Sequence, residues 1–295
     1  RLIAAEESSA LGYYLQAGLD LQLDNKAQAI DNLKSSVAAK PEALESLTAL
    51  AKVLSEERGR KAAVDYTQEH CTKYPAQAHC RYILGSLHAQ DSDFDKAIAE
   101  LEAALSINDQ LVAGYRQLAK VHAAQQNLTG VEQALLAGIE ATDKNPLRFE
   151  LAGFYYGTQR YSDAANIYEV IIAKNDKALA AKNNLAMIYA ENFGTPEKLK
   201  QARGLITELQ ESENAAYLDT VGWVMYLNGE YDQAISYLKA AVDKVGSSDL
   251  LQYHLGMAHY KTGNAELAKS HLVLATKNEK PYPGYEEALE TLKTL

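Results

Sequence analysis

The sequence predicts an all-α array of short, paired, antiparallel helices. Three observations carry this: a 34-residue beat, a fixed alternation of small and large residues within each beat, and turn-forming residues at its middle. Ala234 and Ala268 lie 34 residues apart, and Ala97, Ala63 and Ala29 step back at the same interval. The pair Leu84-Gly85 returns as Leu118-Ala119, Leu151-Ala152, Leu185-Ala186, Val221-Gly222 and Leu255-Gly256. Self-similarity at such a period marks a repeat architecture, in which each unit buries its apolar face against the next.

After a lead-in over residues 1–9, the array runs over residues 10–276. Its units start near residues 10, 44, 78, 112, 145, 179, 215 and 249. One residue is lost near Asn145, and an insertion around Phe193–Lys198 lengthens the sixth unit. The eighth place of every unit is small: Ala17, Ala51, Gly85, Ala119, Ala152, Ala186, Gly222 and Gly256. The twentieth is Ala in all units but the fourth, which has Val131, once the insertion is skipped to reach Ala202. The twenty-fourth is mostly large: Leu33, Leu101, Leu135, Tyr168, Ile206, Leu238 and Leu272. A small residue facing a large one lets two helices approach and interdigitate. Asp24-Asn25, Asn228-Gly229 and Gly263-Asn264 supply the turn between the two helices, and Pro41 and Pro75 stop helices at unit ends. The second unit departs from the pattern, with Thr67 and His70 at places that are elsewhere apolar or small. After Lys280-Pro281-Tyr282-Pro283-Gly284, a last helix over residues 285–295 is expected to cap the eighth unit.

The net charge of −10, with no basic cluster beyond Arg58, Arg60 and Lys61, argues against nucleic acid as a partner. No apolar run approaches the roughly 18 residues of a membrane span. A first residue of Arg rather than Met points to a trimmed or processed piece. No phosphate-binding glycine loop, GxSxG elbow or HExxH motif is present, and the acidic residues are spread over helix faces, so neither an enzyme nor a cofactor is expected.

The stretch HCTKYPAQAHC, residues 70–80, invites a zinc reading through His70, Cys71, His79 and Cys80. Its spacing is wrong for the usual zinc knuckles, since adjacent helical residues point about 100° apart, and no metal is expected. Cys71 would end one helix and Cys80 begin the next, so the two thiols could meet across the turn as a disulfide, implying an oxidising compartment. Two free buried thiols in a cytosolic protein fit the same spacing. His88, His122 and His259 share the eleventh place of their units with Tyr155 and Tyr189 and are read as core or half-buried residues. Asn127-Leu128-Thr129 matches a glycosylation acceptor placed in a turn.

The pattern resembles the tetratricopeptide repeat (TPR) from about residue 10 to 276. Leu255-Gly256, Ala268, Leu272 and Ala275 match the family pattern in one unit, and Val221-Gly222, Tyr231, Ala234, Leu238 and Ala241 in another. The resemblance implies a right-handed α-solenoid of about eight helix-turn-helix units, with the first helices lining a concave groove. It also implies groove-facing side chains at the second, fifth, ninth, twelfth and thirteenth places. Carried over, these are Tyr82 in unit three, Arg116 and Lys120 in unit four, and Phe149 and Tyr156 in unit five. Units six to eight add Asn183, Met187, Asp219, Trp223, Tyr226, Tyr253, Met257 and Tyr260. Aromatics and Met are the residue types of binding hot spots and adaptable surfaces. The same side chains would alternatively pack between neighbouring units as core. Arg116 and Lys120 are expected to be available to an acidic end. The family's carboxylate clamp is not formed in its usual way, because its places hold Arg116, Lys120, Phe149, Gly153, Asn183 and Met187.

The last three units also resemble the C-terminal region of bacterial repeat lipoproteins of the PEP-CTERM/exosortase system. The matching phrases are Asn183-Asn184-Leu185-Ala186, Leu218-Asp219-Thr220-Val221-Gly222-Trp223-Val224 and Tyr253-His254-Leu255-Gly256. That resemblance implies a periplasmic or outer-membrane-anchored protein tied to export of exopolysaccharide, the alternative being cytoplasmic. The expected function is a non-catalytic scaffold that binds a protein or peptide segment in its groove. The alternatives are a recruiting arm of a larger enzyme, such as a glycosyltransferase, and an array that assembles with copies of itself.

Overall fold

Asp24, Ser92, Gln126, Gln159, Gly229 and Gly263 stand at the same place of their units, midway between two helices. All six adopt left-handed backbone, with φ between 58° and 81°. A single left-handed residue reverses the chain in the shortest space, which Gly229 and Gly263 do without the steric strain of a Cβ. The rest of each unit follows from this reversal.

The computed structural model describes residues 9–246, 248–278 and 281–295. The lead-in therefore lies outside the described residues except for Ser9, as does Lys280. The described residues form 17 α-helices and no strand, an all-α helical-repeat solenoid. They fall into two compact modules, residues 1–150 and 151–295.

The first module pairs α1 (Ala10–Gln22) with α2 (Lys26–Ala39), α3 (Leu44–Arg58) with α4 (Arg60–Lys73), α5 (Ala78–Gln90) with α6 (Phe94–Ile107), and α7 (Val112–Ala124) with α8 (Leu128–Thr142). Ser9 starts α1 by accepting a hydrogen bond from the Gly12 amide at 3.0 Å. Asn127, in the glycosylation-like triplet, caps α8 by accepting from the Gly130 amide at 2.9 Å. In the second unit Gly59 alone, at φ 84°, separates the two helices. Thr67 and His70, out of pattern in sequence, are both buried. The His70 ring nitrogen Nε2 lies 3.1 Å from both the Pro41 carbonyl and Gln77 Oε1, so its polarity is accommodated.

Cys71 and Cys80 are joined in a disulfide, with their Cα atoms 5.6 Å apart, linking α4 to α5 inside the core. Of the two readings the sequence left open, the bonded one is realised. Reduction, or a Cys71→Ser/Cys80→Ser variant, is expected to lower the unfolding free energy by about 2.5–3 kcal/mol through the freed loop. Urea titration with and without reductant measures it, and identical midpoints would contradict a bond that constrains the unfolded chain.

The second module contains α10 (Tyr161–Lys174), α11 (Leu179–Met187), α12 (Pro196–Leu205), α13 (Ala215–Leu227), α14 (Tyr231–Val245), α15 (Asp249–Lys261), α16 (Ala265–Thr276) and α17 (Tyr285–Thr294). The boundary with the first module falls within α9 (Asn145–Gly157). Just before the insertion read around Phe193–Lys198, a π-helical turn, Ile188–Phe193, prolongs α11 until left-handed Gly194 stops it. Thr195 then caps α12, with Pro196 at its first position.

The small and large places meet as the beat requires. A Cβ built on Gly222 would lie 2.5 Å from Leu238 Cγ and 3.1 Å from the Ala234 carbonyl oxygen. Gly256 meets Leu272 in the same way, at 2.8 Å. Only a residue without a side chain lets α13 and α14, or α15 and α16, come this close.

The segments Leu218–Tyr226 of α13 and Leu251–His259 of α15 are buried on every side. A helix covered all round is a central element of a layered core, not its amphipathic surface. The last helix, α17, adds to that cover. Tyr253 Oη donates to Glu287 at 2.6 Å, Thr291 Oγ1 to the Met257 sulfur at 3.7 Å, and Thr294 Oγ1 lies 3.5 Å from Tyr260 Oη. Each of these pairs is separated by 34 residues. The helix thus continues the beat as the first helix of a ninth unit.

His259 and His271 stack face to face between α15 and α16, 5.6 Å apart, and His271 Nδ1 lies 2.6 Å from Gln252 Oε1. Burial holds both imidazoles below their ordinary pKa of 6.5, and the charges of His271 and Lys239 depress His259 further. The unfolded chain therefore binds more protons than the folded one as pH falls below 6.5. This pair makes stability decline from that pH downward, until both folded-state rings are protonated. The urea midpoint is expected to fall less between pH 7.5 and 5.5 in His271→Gln than in the wild type, and an equal fall would contradict the burial of this pair.

Candidate functional site

In the first module, Tyr82 is half-buried against the core, and Lys120 is exposed with no ion pair among the described residues. Phe149 is half-buried. Arg116 is exposed but makes a short charge-assisted contact with Glu150, one unit further on. The expectation that Arg116 waits for an acidic end is therefore corrected: its guanidinium already has a carboxylate.

In the second module the expected groove set divides. Asp219, Trp223, Tyr226, Tyr253 and Met257 are buried, with exposures of 8% or less. They form core between units rather than an open surface, which corrects the groove assignment for these five. Side chains at equivalent places of successive first helices lie side by side, so a long one reaches the next unit before it reaches water. Trp223 shows this fully. Its ring lies flat between Tyr226, at 4.6 Å, and His254, at 4.0 Å. Its indole N–H donates to Glu191 Oε1 at 2.8 Å. Behind it the His254 ring nitrogen Nδ1 lies 2.7 Å from Asp219 Oδ1, both residues being buried.

Tyr156, Asn183, Met187 and Tyr260 retain contact with solvent, and Tyr156 is the most open at 42%. Asn183 donates to Asn184 Oδ1 at 3.1 Å, and Asn184 donates in turn to Tyr168 Oη at 2.9 Å. Tyr156 and Met187 face a cavity of about 350 Å3 that is also lined by Tyr168, Glu191, Leu250 and Pro283. This is near the lower end of the size of small ligand pockets. Tyr156, Tyr168, Asn184 and Glu191 bring the polar groups, and the rest of the wall is apolar.

Glu191 was not among the residues singled out from the sequence, although it occupies the thirteenth place of its unit. One acidic residue among many gave no signal. The π-helical turn carries it, and its carboxyl group is turned onto Trp223 although the residue as a whole is exposed. Burial raises this carboxyl above its ordinary pKa, opposed by His254 and the Trp223 N–H and reinforced by Asp219. Burial also raises the Tyr156 and Tyr168 phenols, Tyr156 further through the Glu191 charge.

A second cavity, of about 550 Å3, lies against Glu169, Lys182, Tyr189 and Lys198. Its charged groups already serve one another. Lys182 pairs with Glu208 at 2.6 Å, Tyr189 donates to Glu169, and Lys198 sits 3.8 Å above the Tyr189 ring. No group of three or more metal-ligating side chains occurs among the described residues. At the zinc-like stretch, the disulfide consumes both thiols that a metal would need. No helix among the described residues is long and apolar enough to cross a membrane.

Models of the tetratricopeptide repeat match residues 78–111 and 226–270. No curated protein matches the chain. Among solved structures, it is similar to the C-terminal part of a TPR repeat-containing protein from Cytophaga hutchinsonii. There the TM-score is 0.59 and the identity 15%, over 82% of this chain and 99% of that one. It is also similar to the APC/C hetero-tetramer Cut9–Hcn1 (TM-score 0.56, 13% identity, 91% of this chain and 52% of that one). Yeast Tom70 gives a TM-score of 0.53 at 14% identity, over 92% of this chain and 57% of that one. At such identities the likeness is one of fold. TPR proteins generally mediate protein–protein interactions, and the fold is typically a non-catalytic scaffold. Residues 78–111 and 226–270 thus match tetratricopeptide repeats, and the paired helices repeat the same all-α solenoid pattern through the described residues.

Proposed function

We propose that the protein is a non-catalytic interaction scaffold that seats a partner polypeptide segment at the tyrosine-lined pocket of residues 151–295. The observation that carries this is the pocket itself: an exposed Tyr156 and the flexible Met187 stand at its wall beside the buried Tyr168 and Ile188. A structural neighbour of this fold, Cut9, is assembled with Hcn1 in a hetero-tetramer, which supports the use of such a scaffold to hold another chain. The Cys71–Cys80 bond supports an oxidising compartment, in keeping with the envelope setting implied by the resemblance of the last units.

Capture of partners from envelope and soluble fractions tests the proposal, with a Tyr156→Ala/Met187→Ala variant beside the wild type. A partner held by the wild type and lost by the variant, at unchanged helicity, supports it. Equal capture by both places the binding surface elsewhere.

Self-association is favoured by a separate observation. Leu11, Leu15 and Leu19 lie along one face of α1 and are 57–60% exposed. If that stripe joins two copies, light scattering should give a mass above the monomer that Leu15→Glu abolishes.

A further inference from the structure

The geometry points to a cation-binding role for the pocket at Glu191: it receives a lysine or arginine side chain of the partner segment. The inference rests on the proposed partner binding and names the chemistry that the pocket selects.

Glu191 differs from four carboxylates that contact neighbouring units, although Glu287, which accepts from Tyr253, also has no ion pair among the described residues. Glu150 is paired with Arg116, Glu208 with Lys182, Glu230 with Arg203 and Asp219 with His254. Glu191 has no ion pair among the described residues, and only its Oε1 accepts a hydrogen bond, from the Trp223 indole. No Lys or Arg lines the cavity. A carboxylate in the wall of a cavity, with one oxygen unserved by the protein and no cation beside it, gains a charge-assisted contact from an incoming cation. Its raised pKa agrees with that state.

The walls fit the same occupant. Tyr156 and Tyr168 offer aromatic rings, which attract ammonium and guanidinium groups and also cover the aliphatic stem that carries them. An acidic side chain would meet the Glu191 charge with nothing to offset it. A purely apolar one would leave the carboxylate desolvated and unpaired. The pocket thus has the opposite polarity to a site for a free carboxylate terminus.

Trp223 is the one tryptophan of the chain, and its N–H rests on Glu191. Its indole cross-peak in a nitrogen-15 spectrum of the full chain is therefore a local reporter. The probes are N-acetyl-lysine methylamide and N-acetyl-arginine methylamide, with N-acetyl-norleucine methylamide as the uncharged control. The basic probes are expected to shift this peak saturably, the control little. Glu191→Gln, which keeps an acceptor for the indole, should weaken binding about tenfold, the loss of a charge-assisted contact. Tyr156→Leu should weaken it by about fivefold, through loss of a ring.

Equal response to lysine and norleucine probes would overturn the inference, as would undiminished binding by Glu191→Gln or no saturable shift at all. The two proposals also separate. A partner lost on Tyr156→Ala/Met187→Ala but held fully by Glu191→Gln would overturn the cation site and leave the scaffold standing.

Discussion

Trp223→Ala is expected to lower the unfolding free energy of the module formed by residues 151–295 by about 3–5 kcal/mol, the range for deleting a buried aromatic side chain. The ring is 6% exposed, lies flat between Tyr226 and His254, contacts Tyr253 at 5.5 Å and donates to Glu191. Removing it leaves a cavity bounded by rings that cannot close over it, and it strips Glu191 of its donor. The loss should concentrate in α13 and α15, because repeat arrays couple mainly to nearest neighbours. Hydrogen exchange of amides in those two helices, beside the urea midpoint, reads it. Trp223→Phe keeps a ring in the stack but no N–H, and should lose distinctly less. A change below about 1 kcal/mol for Trp223→Ala would mean that the ring is not packed as described.

His254→Ala should produce a loss of similar size, about 3–5 kcal/mol, for a different reason. His254 is 1% exposed and faces Asp219, itself 7% exposed. The substitution removes the ring beneath Trp223 and also leaves the Asp219 carboxylate buried without its partner. The cost of an uncompensated buried charge exceeds that of the lost contact. Replacing both polar groups, as Asp219→Leu/His254→Phe, should recover much of the loss, because nothing is then left unpaired. A double-mutant cycle on the denaturation midpoint separates the pair from the stack. Losses that simply add would contradict direct coupling of the two side chains.

Trp223 and Asp219 first drew attention as binding candidates. Trp, Tyr and Met are the residue types of a hot spot and equally those of a well-packed interior. Their sequence places carried the right helix but not their exposure. Exposure depends on what lies one unit away: Glu287 against Tyr253, Thr291 against Met257 and His254 against Asp219. Arg116 was misread for the same reason, since Glu150 stands one beat further on. Tyr156 and Met187 survive as candidates because the cavity lies in front of them. Glu191 was hidden because its partner, Trp223, lies 32 residues further on.

The sequence by itself determined the helix pairs, their order and their internal packing. The small and large places and the turn residues are local, repeated and mutually consistent, so each unit restates the same instruction. Gly222 opposite Leu238 is written in the period as plainly as in the folded chain. Tertiary structure alone decided which side chains remain available. It closed Cys71 onto Cys80, buried Trp223 between two rings, and left Glu191 without a cation beside Tyr156 and Tyr168. The physical reason is that solvent access and charge pairing are set by groups tens of residues distant, and these come together only when the units stack.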